Sequence, residues 1–160
     1  MKTILALDPS TTIAGWAFGN EKGLIECGLV KGDPSELAID RSIIMAGEIS
    51  KQVQRHHLMV HDFVMEMPCV WQSPRGAAAS NSGALVQLSI GAGCLYTSLK
   101  ASLLPFKSFT VTPQKWKGQL PKELFFERMN KKYSLGLKYN MANCNITDAV
   151  GLYEWYKEKV

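Results

Sequence analysis

The sequence lacks any pair of cysteines spaced to hold zinc or to frame a small disulfide scaffold. Cys27, Cys69, Cys94 and Cys144 lie far apart with no Cys-x-x-Cys spacing, so reduced thiols are expected. No apolar run reaches the length of a membrane span. The run after Met1-Lys2 meets Asp8 too soon for a signal peptide. Internal repeats, low-complexity tracts and linkers are also missing, which excludes solenoids and multi-domain arrays. Neither sign of charge dominates: 18 basic against 14 acidic residues leave a net +4, a slight lean towards an anionic partner. What remains, 160 residues of which 46% are hydrophobic, suffices for one core. A single domain over residues 1–160 is expected.

The apolar run Ile4–Leu7 reads as a strand buried on both faces, ending at Asp8-Pro9-Ser10. Residues 13–18 and 24–30 read as two more strands around the turn Gly19–Gly23, together an antiparallel meander. From Pro34, with Asp33 as its cap, Ile39, Ile43, Ala46 and Val53 recur at helical spacing to about Arg55. A fourth strand over 58–67 delivers Glu66 near its end, before Pro68. The Ser-, Gly- and Ala-rich stretch 69–82 reads as a loop, 83–103 as a small-residue helix and 106–111 as a fifth strand. Helices over about 121–133 and 145–159 complete a mixed α/β order that a doubly wound parallel fold does not produce.

Phosphodiester hydrolysis through divalent cations needs oxygen ligands that converge. Asp8 and Glu66 each end a strand, and Asp148 is expected in the first turn of the last helix, where the helix dipole suits it. Parallel neighbouring strands put their ends on one edge. Singly, each acid also reads as a turn cap, a solvent-facing group or a helix-start residue.

The segment Ile4-Leu-Ala-Leu-Asp-Pro-Ser-Thr-Thr-Ile-Ala-Gly-Trp-Ala-Phe18 resembles the opening of RuvC-type Holliday junction resolvases, a ribonuclease H-like family. Phe63-Val-Met-Glu-Met-Pro68 is similar to their second acidic strand end, and Asn145-Ile-Thr-Asp-Ala-Val-Gly-Leu152 to their terminal acidic helix. The resemblance implies a ribonuclease H-like five-stranded sheet, a three-strand antiparallel meander plus two parallel strands, flanked by helices. It implies Asp8, Glu66 and Asp148 as ligands of Mg2+, two ions per site with Mn2+ able to substitute, and water as nucleophile. It implies a homodimer that places paired nicks in a four-way DNA junction, in the cytoplasm of a bacterial cell or phage-infected host. Asn145 stands where the family often has a fourth acid. A neutral carbonyl ligand or a water-positioning group is open to Asn, a carboxylate base is not.

Thr112-Pro-Gln-Lys-Trp-Lys-Gly118 with Lys122 interleaves cations and an aromatic ring, so Lys115, Lys117 and Lys122 are expected on phosphates. Trp116 reads either as a stacking platform or as a core anchor. In the loop after Glu66 the resemblance implies an aromatic or aliphatic wedge that probes the junction centre, for which Trp71 and Arg75 are the candidates, with Trp71 alternatively folding back as a lid. His56, His57 and His61 are expected in structural roles rather than as a metal cluster.

Three rivals stand beside this reading. Asp8-Pro9-Ser10-Thr11-Thr12 resembles the phosphate loop of sugar kinases and actin-like ATPases, but no second lobe or adenosine-binding Gly-rich motif follows, so no nucleotide cofactor is expected. The others are a ribonuclease H-like nuclease acting on flaps or RNA:DNA hybrids, and a non-catalytic junction-binding protein.

Overall fold

The structure is a computed structural model that describes residues 1–69, 82–103 and 106–160. Among these residues the chain runs β1 (Thr3–Pro9), β2 (Ile13–Asn20), β3 (Gly23–Lys31), α1 (Ala38–Gln54), β4 (Asp62–Glu66), α2 (Ala84–Leu103), β5 (Lys107–Val111), α3 (Pro113–Trp116), α4 (Lys122–Lys132) and α5 (Met141–Lys157). The strands form one sheet in the order β3-β2-β1-β4-β5. β1, β2 and β3 pair antiparallel, whereas β4 runs parallel to β1 and β5 parallel to β4. The meander plus two parallel strands is the sheet the sequence led us to expect.

Side chains alternate across the strands, and this alternation sorts the core into two layers. Leu5 and Leu7 of β1, Ala14, Trp16 and Phe18 of β2, and Phe63 and Met65 of β4 pack against α1 and α2. Ile4 and Ala6 of β1, Ala17 of β2 and Val64 of β4 pack against α4 and α5. Asp8 shares parity with Ile4 and Ala6, and Glu66 with Val64. Both acids therefore belong to the α5 side of the sheet, at the edge where the parallel strands end.

On that side β2 presents Gly15, Ala17 and Gly19, a lane of small residues along which α5 lies close. A Cβ on Gly15 would stand 2.0 Å from the Asn145 carbonyl oxygen, and one on Gly19 would stand 2.7 Å from the Tyr153 ring. Tyr153, fully buried, donates its hydroxyl to the Asn20 carbonyl at 2.7 Å and fixes the far end of the helix.

Several boundaries differ from the expected ones. Asp33 does not cap α1; its carboxylate accepts from the Ser35 amide at 2.8 Å, closing a local turn, and the helix starts at Ala38. The strand expected over 58–67 is confined to 62–66. The last helix begins at Met141, capped by Asn140, whose side chain accepts from the Asn143 amide. Asp148 consequently lies about two turns inside it, not in its first turn, and the dipole explanation for that residue fails.

Two of the three histidines pair within the fold. His56 pairs with Glu26 at 2.6 Å, and His61 Nδ1 accepts from the Thr3 amide at 3.3 Å. Among the described residues no helix is long and apolar enough to cross a membrane.

Candidate active site

At the carboxyl edge of β1 and β4 lies an open cavity of about 950 Å³. Asp8, Glu66, Asn145 and Asp148 line it together with Gln114, Lys117 and Lys122. β1 and β4 deliver the first two acids side by side. Asn145 and Asp148 are three residues apart on α5, so they share the helix face that meets the cavity.

The turn after Asp8 is braced from below. The Ser10 amide donates to the Ile13 carbonyl at 2.9 Å, and buried Arg41 donates Nε–H to the Thr11 carbonyl at 2.7 Å. The same guanidinium reaches the Glu36 carbonyl at 3.0 Å. Its charge is thus spent on loop carbonyls rather than on the acids.

Burial beside other carboxylates disfavours the ionisation of Asp8 and Glu66. Burial, then the charges of Glu66 and Asp148, hold the Asp8 carboxyl well above the usual carboxylate range, against the opposing pull of Lys117 and Lys122. Burial, with a further push from Asp148, raises Glu66 from 4.5 to about 7, although its hydrogen bond from Trp116 and the two lysines act in the other direction. The site is short of positive charge.

What positive charge there is sits on Asp148. Lys117 Nζ pairs with Oδ1, and Lys122 Nζ lies 3.8 Å from Oδ2. The Lys117 ammonium also stands 4.6 Å from the centre of the Phe125 ring, a cation–π contact. Trp116 donates its indole N–H to Glu66 Oε2 at 2.8 Å.

No family model and no curated protein matches this chain. Solved structures do. A Thermus thermophilus RuvC structure superposes with a TM-score of 0.63 at 16% identity, over 98% of this chain and 96% of that one. The T. thermophilus RuvC in complex with a Holliday junction substrate gives 0.64 at 14% identity, over 99% and 96%. The fold is RuvC-like.

Within this RuvC-like frame, the donor set suits a hard divalent cation in kind, being oxygen throughout, and in charge, being under-compensated. As the side chains stand, no three His, Cys, Asp or Glu residues among those described are disposed to hold one ion. Asp148 is turned to Lys117, and Glu66 to Trp116.

The remaining expected DNA contacts separate. Lys115 is exposed on α3. Lys117 and Lys122 face the acids across the cavity rather than lying on a solvated loop. Trp116 is buried at 8% exposure, edge-on to Phe125, so the stacking platform is replaced by the core anchor. Trp71 and Arg75 fall outside the described residues. Sequence reasoning missed Gln114 and Gln119 as cavity residues and α3 itself, whose only local signal is Pro113 at a helix start.

Proposed function

We propose that this chain is a metal-dependent endonuclease that resolves four-way DNA junctions. One observation carries the reading: Asp8, Glu66 and Asp148 meet with Asn145 in a single open, charge-deficient cavity at the carboxyl edge of a RuvC-like sheet. The three carboxylates and Asn145 would hold Mg2+, or Mn2+ in its place, as a pair of ions. Bound there, a divalent cation supplies Lewis-acid polarisation of the phosphoryl group and acidifies a water nucleophile.

The chain's own residues orient and balance charge. Lys117 and Lys122 pair with Asp148 and stand ready for a phosphate brought to the cavity. Two such sites in a homodimer would place paired nicks. Exposed Ile39, Ile43, Val86 and Ile90 on the outer faces of α1 and α2 supply apolar surface of the sort a second copy covers. The cytoplasm is the proposed compartment.

Incubating the protein with Mg2+ and a synthetic four-way junction, with flap and RNA:DNA hybrid substrates in parallel, tests the reading. Paired nicks in the junction are expected. Cleavage confined to flaps or hybrids would reassign the substrate, and junction binding without cleavage would reassign the protein as a binding module.

Three substitutions refine it. Lys115→Ala is expected to weaken binding to every DNA tested and to reduce the salt slope by about one unit, leaving Mg2+ affinity unchanged; fluorescence anisotropy at several salt concentrations reads this. Asn145→Asp is expected to lower the Mg2+ concentration for half-maximal cleavage, and Asn145→Ala to raise it. Equal Mg2+ requirements in all three proteins would remove Asn145 from the ligand set.

A further inference from the structure

The best-anchored side chain at the cavity is one that does not line it. Trp116 sits at the end of α3, which Pro113 starts at a preorganised backbone angle. Its ring packs edge-on to Phe125, centroids 5.5 Å apart at 77°. α5 leaves room for both rings at Gly151, where a Cβ would stand 2.1 Å from Phe125 Cζ and 3.0 Å from Trp116 Cζ3. The indole has a single hydrogen-bond donor, and that donor meets Glu66 Oε2 at 2.8 Å. Releasing it would strand the N–H of a buried residue, so the contact is held by the packing against Phe125 and α5 as well as by its own energy.

The consequence falls on Glu66. With one lone pair of Oε2 taken by the indole, the carboxylate is fixed in orientation and Oε1 is its less encumbered oxygen towards a cation. Mg2+ takes six ligands in a tight octahedron and accepts carboxylates through a single oxygen, whereas Ca2+ takes six to eight and is often gripped by both oxygens of one carboxylate. We propose that Trp116 is a positioning residue that fixes Glu66 as a one-oxygen ligand and so sets the preference of the site for a small octahedral cation over Ca2+. This rests on the nuclease reading above. Trp116 itself touches neither cation nor DNA.

Trp116→Phe keeps an aromatic ring beside Phe125, removes the donor and leaves a small gap where the rest of the indole packed. Titration calorimetry of the whole protein with Mg2+ alone and with Ca2+ alone is expected to show Mg2+ binding weakened about tenfold. Ca2+ binding is expected to hold or improve, so that the ratio of the two affinities falls, with a loss of thermal stability that affects both titrations alike. In the parent, the Trp116 indole N–H resonance, assigned through its contact with Phe125, is expected to shift when Mg2+ is added and to stay in place in Glu66→Gln.

Unchanged affinities for both ions in Trp116→Phe, or an equal loss of both, would overturn the proposal. If that variant does not fold, the resonance decides: an indole signal in the parent indifferent to saturating Mg2+ overturns it. A parent that binds no Mg2+ at all removes the nuclease reading itself. Normal Mg2+ binding and junction cleavage by the parent, with selectivity unaltered in the variant, would remove only the role of Trp116.

Discussion

Asp8→Asn is expected to lose junction cleavage by roughly three orders of magnitude or more, about 4 kcal/mol of transition-state stabilisation, and at the same time to melt higher than the parent when both are free of metal above pH 7. Glu66→Gln and Asp148→Asn are expected to lose cleavage likewise. Junction binding should survive in all three, because none of the changes alters volume or removes a cation.

The gain in stability follows from proton linkage. A carboxyl whose folded pKa lies above its unfolded one binds its proton more tightly in the native state. Its favourable contribution is complete below the unfolded value and is lost as pH rises through the folded value. For Glu66 that window runs from 4.5 to about 7, and Asp8 shifts in the same direction. Above it, ionised Glu66 costs on the order of 2 to 3 kcal/mol, shared with Asp8 because the two titrate together. The metal-free parent should therefore lose melting temperature between pH 5 and pH 8, Mg2+ should restore it, and Glu66→Gln should flatten the loss. Thermal melts in chelator across that range check this. A parent whose stability is level from pH 5 to pH 8, or an Asp8→Asn protein that cleaves normally, would sink the assignment.

Gly15→Ala is expected to disable the site from a position that touches no substrate. Gly15 pairs in register with Asp8 across β1 and β2, and its missing side chain admits the backbone of α5. The added methyl would stand 2.0 Å from the Asn145 carbonyl oxygen and 2.3 Å from its carbon. Both are backbone atoms, so no side-chain rotation relieves the clash. α5 must retreat by more than an ångström, and it carries Asn145 and Asp148 with it.

A stability loss of about 3 kcal/mol is expected from overpacking, with a fall of about a hundredfold in cleavage from the displaced carboxylate. Gly47→Ala is the contrasting case. It lies inside α1 with open space around the new methyl, so the helix should gain roughly 0.5 to 1 kcal/mol. Melting curves and Mg2+ affinities for the two variants separate a steric effect from a general intolerance of alanine. Equal behaviour of the two would mean that α5 does not depend on Gly15.

Much of this site was legible from one-dimensional pattern. The apolar run ending at Asp8 and the second run ending at Glu66 required no partner to be read, because strand burial and strand termination are local signals. The order of elements gave a meander within a mixed α/β chain, and the family resemblance supplied the two parallel strands that bring two strand ends to one edge. Asn145 and Asp148 were readable as one helix face from their spacing.

The helix start was not readable. Asn140, Asn143 and Asn145 all suit a cap, and only the folded chain selects Asn140. The small lane Gly15-Ala17-Gly19 was present in the sequence, yet its meaning depends on which helix lies over it. The pairings that set the electrostatics lie further still from local pattern: Trp116 with Glu66, 50 residues apart, and Lys117 with Asp148, 31 apart. Periodicity and capping act over one or two turns of chain. Which cation or indole meets which carboxylate is decided by how α3, α4 and α5 stack on the sheet, and so it belongs to the tertiary structure alone.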